Sequence, residues 1–73
     1  MNTPPATIEV HLNGETRSVQ FGQSLTEVIV GFGLPPQAVL IEHNGRALLR
    51  SEWDDQQLSD GDRLEILRIV AGG

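Results

Sequence analysis

Only one stretch of this chain carries apolar residues at helical spacing. Leu25, Val28, Ile29 and Phe32 fall at i, i+3, i+4 and i+7, a single stripe along one face. Ser24 stands just before the stripe and Glu27 three residues later. That pair can exchange bonds with each other's backbone N–H groups as a capping box. Gly33 suits a left-handed stop, and Pro35-Pro36 forbids continuation. The predicted helix, residues 25–32, is too short to stand alone in water and has to be held by packing. One short helix with one apolar face, in a chain of 73 residues, leaves room for two layers around one core.

The other layer is read from alternation. In 7–12, Ile8, Val10 and Leu12 share one face. Asn13-Gly14 follows, and a tight hairpin turn of this kind needs positive φ at both central residues. Residues 15–21 return as a second strand, with Val19 and Phe21 expected in the core. Residues 39–43 form a third strand, Asn44-Gly45 a second turn and 46–49 a short fourth strand. Residues 50–53 read as a helical turn or loop, Asp60-Gly61-Asp62 as a third turn, and 63–70 as the last strand.

The order is therefore β-β-α-β-β-β. A hairpin, a crossing helix and returning strands predict an α+β fold of β-grasp (ubiquitin-like) type: a mixed sheet of about five strands on one short helix. The first and last strands are expected to be central neighbours. Residues 1–6 are expected to be a flexible leader, 7–70 the β-grasp domain and 71–73 a flexible tail.

Composition narrows the function. The net charge is −5, from ten acidic residues against five arginines. Nucleic acid rewards basic patches, so it is an unfavoured partner; proteins with basic docking surfaces are favoured. No apolar stretch approaches a membrane span, and Met1 to Ala6 have neither the basic nor the apolar region of a secretory signal. A cytoplasmic location is expected. There is no cysteine, hence no thiolate metal site or thiol nucleophile, and His11 and His43 lie far apart in sequence. No catalytic residue and no metal site are expected. Lysine is absent too, so an activated acyl end would meet no amine side chain on its own chain; a preference for arginine codons explains the same absence.

The last residues are Gly72-Gly73, directly after an apolar strand. Glycine has no Cβ, so such a pair can lie in a slot too narrow for any other residue. A frayed end is the plain reading. A carrier whose terminal carboxylate enters another enzyme's site is the functional one.

Asn44-Gly45-Arg46, then Arg50-Ser51-Glu52-Trp53, then Asp60-Gly61-Asp62, and a strand ending Ile69-Val70-Ala71-Gly72-Gly73 resemble the ThiS sulfur-carrier family of thiamine (thiazole) biosynthesis. That family lies within the ubiquitin-like MoaD/ThiS superfamily. The resemblance spans residues 7–73 and is strongest from Val39 onward. Two features depart from it: Leu48-Leu49-Arg50 stands where such chains often carry Val-Pro-Arg, and the leader is extra.

The resemblance implies a carrier, not an enzyme. A ThiF-like adenylating enzyme would use ATP to convert the Gly73 carboxylate to an acyl-adenylate. A sulfur-transfer protein would supply sulfur as a persulfide, leaving a thiocarboxylate on Gly73. A ThiG-like thiazole synthase would receive it. No cofactor is expected on the chain itself; ATP and the sulfur donor belong to the partners. Gly72 and Ala71 would give the tail its access. Rival readings are the small subunit of molybdopterin synthase, another pathway's sulfur carrier, and a ubiquitin-like protein modifier.

Leu67, Ile69 and Val70 put apolar residues on both faces of the last strand. Leu67 and Ile69 are candidates for a docking patch on the outer sheet face, unless a loop covers that face or a bulge changes its register. Trp53 reads as an anchor for the long connection or as a partner contact. His43 reads as a packing residue and Asp60-Gly61-Asp62 as a turn. Glu52, Asp54 and Asp55 read as a solvated face.

Overall fold

A computed structural model of the protein describes residues 6–69. Strands β1 (Thr7–Leu12) and β2 (Glu15–Gln20) form an antiparallel hairpin, in register from Leu12 opposite Glu15 to Thr7 opposite Gln20. Asn13 and Gly14 between them have φ of 48° and 85°, as the tight turn demands. Helix α1 (Leu25–Gly31) follows. Its start is the expected capping box: the Ser24 hydroxyl accepts from the Glu27 N–H at 3.1 Å, and the Glu27 carboxylate accepts from the Ser24 N–H at 2.9 Å. Gly33 has φ of 77° just beyond the helix.

Strands β3 (Val39–His43) and β4 (Arg46–Leu48) form a second antiparallel hairpin, and β5 (Arg63–Arg68) ends the described chain. The sheet order is β2-β1-β5-β3-β4, with β1 and β5 parallel and the other pairs antiparallel. This is the mixed five-stranded β-grasp sheet expected from the sequence. A parallel pair needs a crossover connection, and α1 and the loops after it provide one.

The core lies between the helix stripe and one face of the sheet. Leu25, Val28 and Ile29 meet Ile8, Val10, Val19, Ile41, Leu64 and Ile66, all buried. Truncating a fully buried leucine such as Leu25 to alanine costs about 2–5 kcal/mol, a large share of the stability of so small a domain. Trp53 is 2 % exposed and closes the core from the long connection, with the Arg50 guanidinium 4.6 Å from its ring centroid. It is the anchor of that connection. Residues 50–52 form a 3-10 turn, and a second 3-10 turn, Pro36–Ala38, was not anticipated from the sequence. Pro36 favours such a turn because its ring presets φ at the first position.

Phe21 corrects an expectation. It lies outside β2 and is half exposed rather than in the core. The Phe21 N–H still donates to the Ala6 carbonyl at 3.0 Å, but the chain turns away at Gly22, φ 89°, and β2 is an edge strand with no strand beyond it among the described residues.

The Asp60-Gly61-Asp62 turn ties three elements together. Asp60 Oδ1 accepts from the Glu9 N–H at 2.8 Å. Asp62 accepts from His43 Nε2 at 2.7 Å, from the Ser59 N–H at 2.8 Å and from Asn44 Nδ2 at 3.0 Å. Burial raises the Asp62 pKa, but the bonds from His43, Ser59 and Asn44 outweigh it, so the carboxyl sits below its ordinary value. His43 is thus a half-buried structural residue, on the face it shares with Ile41.

Candidate functional site

The sheet has one face packed on the helix. The other follows from alternation along β3 and β5. Val39, Ile41, Leu64 and Ile66 point into the core, so Leu40, Glu42, Glu65 and Leu67 point away from it. Leu40 and Leu67 are direct partners in the antiparallel register and are 56 % and 59 % exposed. Among the described residues no loop covers them and no bulge shifts the pairing, so both alternatives raised for Leu67 fall away. Ile69, 47 % exposed, continues β5, and its N–H donates to the Ala38 carbonyl at 2.7 Å.

Two neighbours were missed in the sequence. Leu40 lies inside the run Val39-Leu40-Ile41, where an apolar residue at the outward position breaks the alternation. That break was the available signal. Leu49 is 69 % exposed; continuing the β3–β4 register by one residue sets it opposite Leu40. Leu49, just past the end of β4, thus forms a row with Leu40 and Leu67, and Ile69 lies just past the end of β5. A contiguous exposed apolar row in a small acidic domain is a mark of an interaction surface.

The acidic residues sort into two groups. Glu52 is tied down: its carboxylate accepts from the Leu49 N–H at 2.8 Å and from Arg46 at 3.2 Å, and the backbone bond is the main reason its pKa lies below the ordinary value. Asp54 accepts from the Thr26 hydroxyl at 2.9 Å. Glu42 and Glu65, by contrast, are exposed, face each other across β3 and β5, and make no ion pair among the described residues.

A cleft of about 260 Å³ lies on the helix side, lined by Leu12, Asn13, Glu15, Arg17, Phe32 and Leu34. Its charges are already matched: Arg17 pairs with Glu15 at 3.3 Å and lies 5.8 Å from the Phe32 ring centroid. Among the described residues no three histidine, aspartate or glutamate side chains are gathered as metal ligands, and no helix is long and apolar enough to cross a membrane.

Ala71, Gly72 and Gly73, the tail residues singled out in the sequence, lie outside the described residues. Leu67 and Ile69 are described, and β5 leads from them toward the tail.

Comparison with known proteins agrees with this architecture. The model of the ThiS family matches residues 10–73. The sulfur carrier protein ThiS of Thermus thermophilus is 38 % identical over 88 % of this chain and 98 % of its own. A thiazole synthase of Magnetococcus marinus is 29 % identical over 90 % of this chain, which spans only about 20 % of that relative's length. The crystal structure of the thiamine biosynthesis protein ThiS from Geobacter metallireducens superposes with a TM-score of 0.75 at 28 % identity, covering 90 % of this chain and all of that one. A designed protein based on human erythrocytic ubiquitin shares the fold, with a TM-score of 0.54 at 21 % identity. The family resemblance and the sulfur-carrier reading drawn from the sequence are both borne out: with a β-grasp body, a match running through the final glycines and a full-length curated counterpart, this chain belongs to the ThiS family.

Proposed function

We propose that this chain is a sulfur carrier for thiamine thiazole synthesis and that Gly73 bears the sulfur. The observation that carries this reading is the family match, which runs from Val10 through Gly73, together with a curated sulfur carrier aligned over nearly its whole length. The thiazole synthases that contain a similar segment favour the thiamine pathway over the molybdopterin one.

The chemistry needs partners. A carboxylate is a poor electrophile until one oxygen becomes part of a good leaving group. A ThiF-like adenylating enzyme supplies ATP; the Gly73 carboxylate attacks the α-phosphorus and pyrophosphate leaves. The terminal sulfur of a persulfide on a sulfur-transfer protein then attacks the acyl carbon and AMP departs. A thiol cleaves the resulting acyl disulfide and frees the thiocarboxylate. A ThiG-like thiazole synthase consumes that sulfur, and the whole cycle runs in the cytoplasm.

The carrier's own contribution is recognition and reach. Gly73 lies four residues beyond Ile69, so an extended tail spans at most roughly 14 Å. Any enzyme that acts on Gly73 must therefore come close to Ile69 and Leu67. Gly72, with Ala71 before it, offers little bulk to a narrow channel. The exposed Leu67 and Ile69 serve as the docking contact.

Intact-mass analysis tests this directly. The chain is incubated with the adenylating enzyme, ATP and a persulfide source. One oxygen-to-sulfur exchange, localised to Gly73 by fragmentation, is expected. A chain lacking Gly72-Gly73 that still gained sulfur would refute the assignment.

A further inference from the structure

Glu42 and Glu65 are direct cross-strand partners on the outer face. Directly opposed side chains have Cβ atoms about 5 Å apart, and like charges in that position destabilise a sheet. Among the described residues no ion pair offsets the repulsion. Ala47, the next residue across on β4, is uncharged, and Arg63, two residues before Glu65, makes no ion pair among the described residues. Elsewhere the protein uses carboxylates as caps and turn acceptors, as at Glu27, Glu52 and Asp62. The pair also has a fixed neighbour. Two residues along each strand lies the Leu40–Leu67 pair, extended by Leu49.

We propose that the outer face docks on the adenylating enzyme through a surface that places a cationic side chain between Glu42 and Glu65, beside an apolar depression for Leu49, Leu40 and Leu67. This rests on the carrier reading above. A planar guanidinium suits the position, because it can donate to two carboxylates at once. Binding converts a repulsion in the free carrier into two charge-assisted bonds. Because the pair is exposed, the same charges also steer encounter with a basic surface. The apolar row alone would hold many partners weakly; the carboxylate pair sets which basic surface is accepted and in what orientation.

The test uses the full chain and the adenylating enzyme, with ATP–pyrophosphate exchange read as a function of carrier concentration and salt. The variant Glu42→Gln with Glu65→Gln is compared with a control, Glu15→Gln with Asp55→Asn, which removes the same charge elsewhere. The face variant is expected to melt at or above the wild-type temperature. Its KM for the carrier should rise roughly tenfold, the size of one charge-assisted bond, and its salt dependence should flatten. The control should stay within about twofold of wild type, because its charges lie outside the proposed contact. Equal KM for face variant and wild type would overturn the proposal. So would equal losses in face variant and control, which would mean net charge rather than position. So would a lower melting temperature for the face variant, which would mean the pair is structural. No exchange with the wild-type chain would instead overturn the carrier reading, and this inference with it.

Discussion

The side-chain amide of Asn13 takes both hydrogen bonds of the Ile66 backbone: Oδ1 accepts from the Ile66 N–H at 2.7 Å, and Nδ2 donates to the Ile66 carbonyl at 3.1 Å. A hairpin-turn residue thus acts as one more rung between β1 and β5, past the point where β1 itself ends. Asn44 does the same from the other side, accepting from the Arg63 N–H at 2.8 Å while its own N–H donates to the Arg63 carbonyl at 2.8 Å. The two Asn-Gly turns hold β5 between them.

Replacing Asn13 with glycine keeps the positive φ of the turn and removes only the amide. It leaves the part-buried Ile66 N–H and carbonyl without partners. A loss of about 1–3 kcal/mol is expected. Urea unfolding should show it, together with faster amide exchange at Ile66; unchanged exchange there would mean the clamp carries no stability.

Ser24→Ala removes the acceptor for the Glu27 N–H. The expected cost is about 0.5–2 kcal/mol. In a domain of this size that corresponds to a drop of several degrees in Tm, roughly 4–8 °C per kcal/mol. Ser24→Asp, which keeps an acceptor, should recover most of the loss in the same thermal scan.

Leu67 is exposed on the outer face, so Leu67→Thr should change stability by no more than about 0.5 kcal/mol. Its effect is expected in recognition, as a higher KM for the carrier during adenylation with the exchange rate at saturation preserved. A variant that folds and is adenylated like wild type would remove Leu67 from the docking contact.

Asp62 sets an acid limit. Its folded-state pKa lies below the ordinary value of 3.8. Its contribution is therefore complete above that value and disappears as pH falls through the lower folded value. Asp62→Asn should be destabilised at neutral pH, and the difference from wild type should shrink as pH falls below 3.8. Chemical denaturation across that range checks it; a gap independent of pH would mean that the carboxylate charge is not what holds the turn.

Much of this protein was legible from local chemistry. The bounds of β1 and β3, the capping box at Ser24, both Asn-Gly turns and the helix stripe all follow from interactions within a few residues. Short-range rules decide them because the φ of a glycine turn, or the reach of a serine hydroxyl, does not depend on the rest of the fold. The two-layer topology followed as well, since one stripe and one alternating face have a single good way to cover each other. The family resemblance came from motifs.

What the tertiary structure decided were the relations across strands. Phe21 has the right parity for the core, yet it lies just past the end of an edge strand, where the chain turns at Gly22. Leu40 and Leu49 look like core residues in sequence and became surface only when register set them opposite Leu67 and each other. Glu42 and Glu65 are twenty-three positions apart, and only the β3–β5 register makes them a repelling pair. Pairing energies between residues distant in sequence depend on which strands become neighbours. That is a property of the whole sheet and of no single segment.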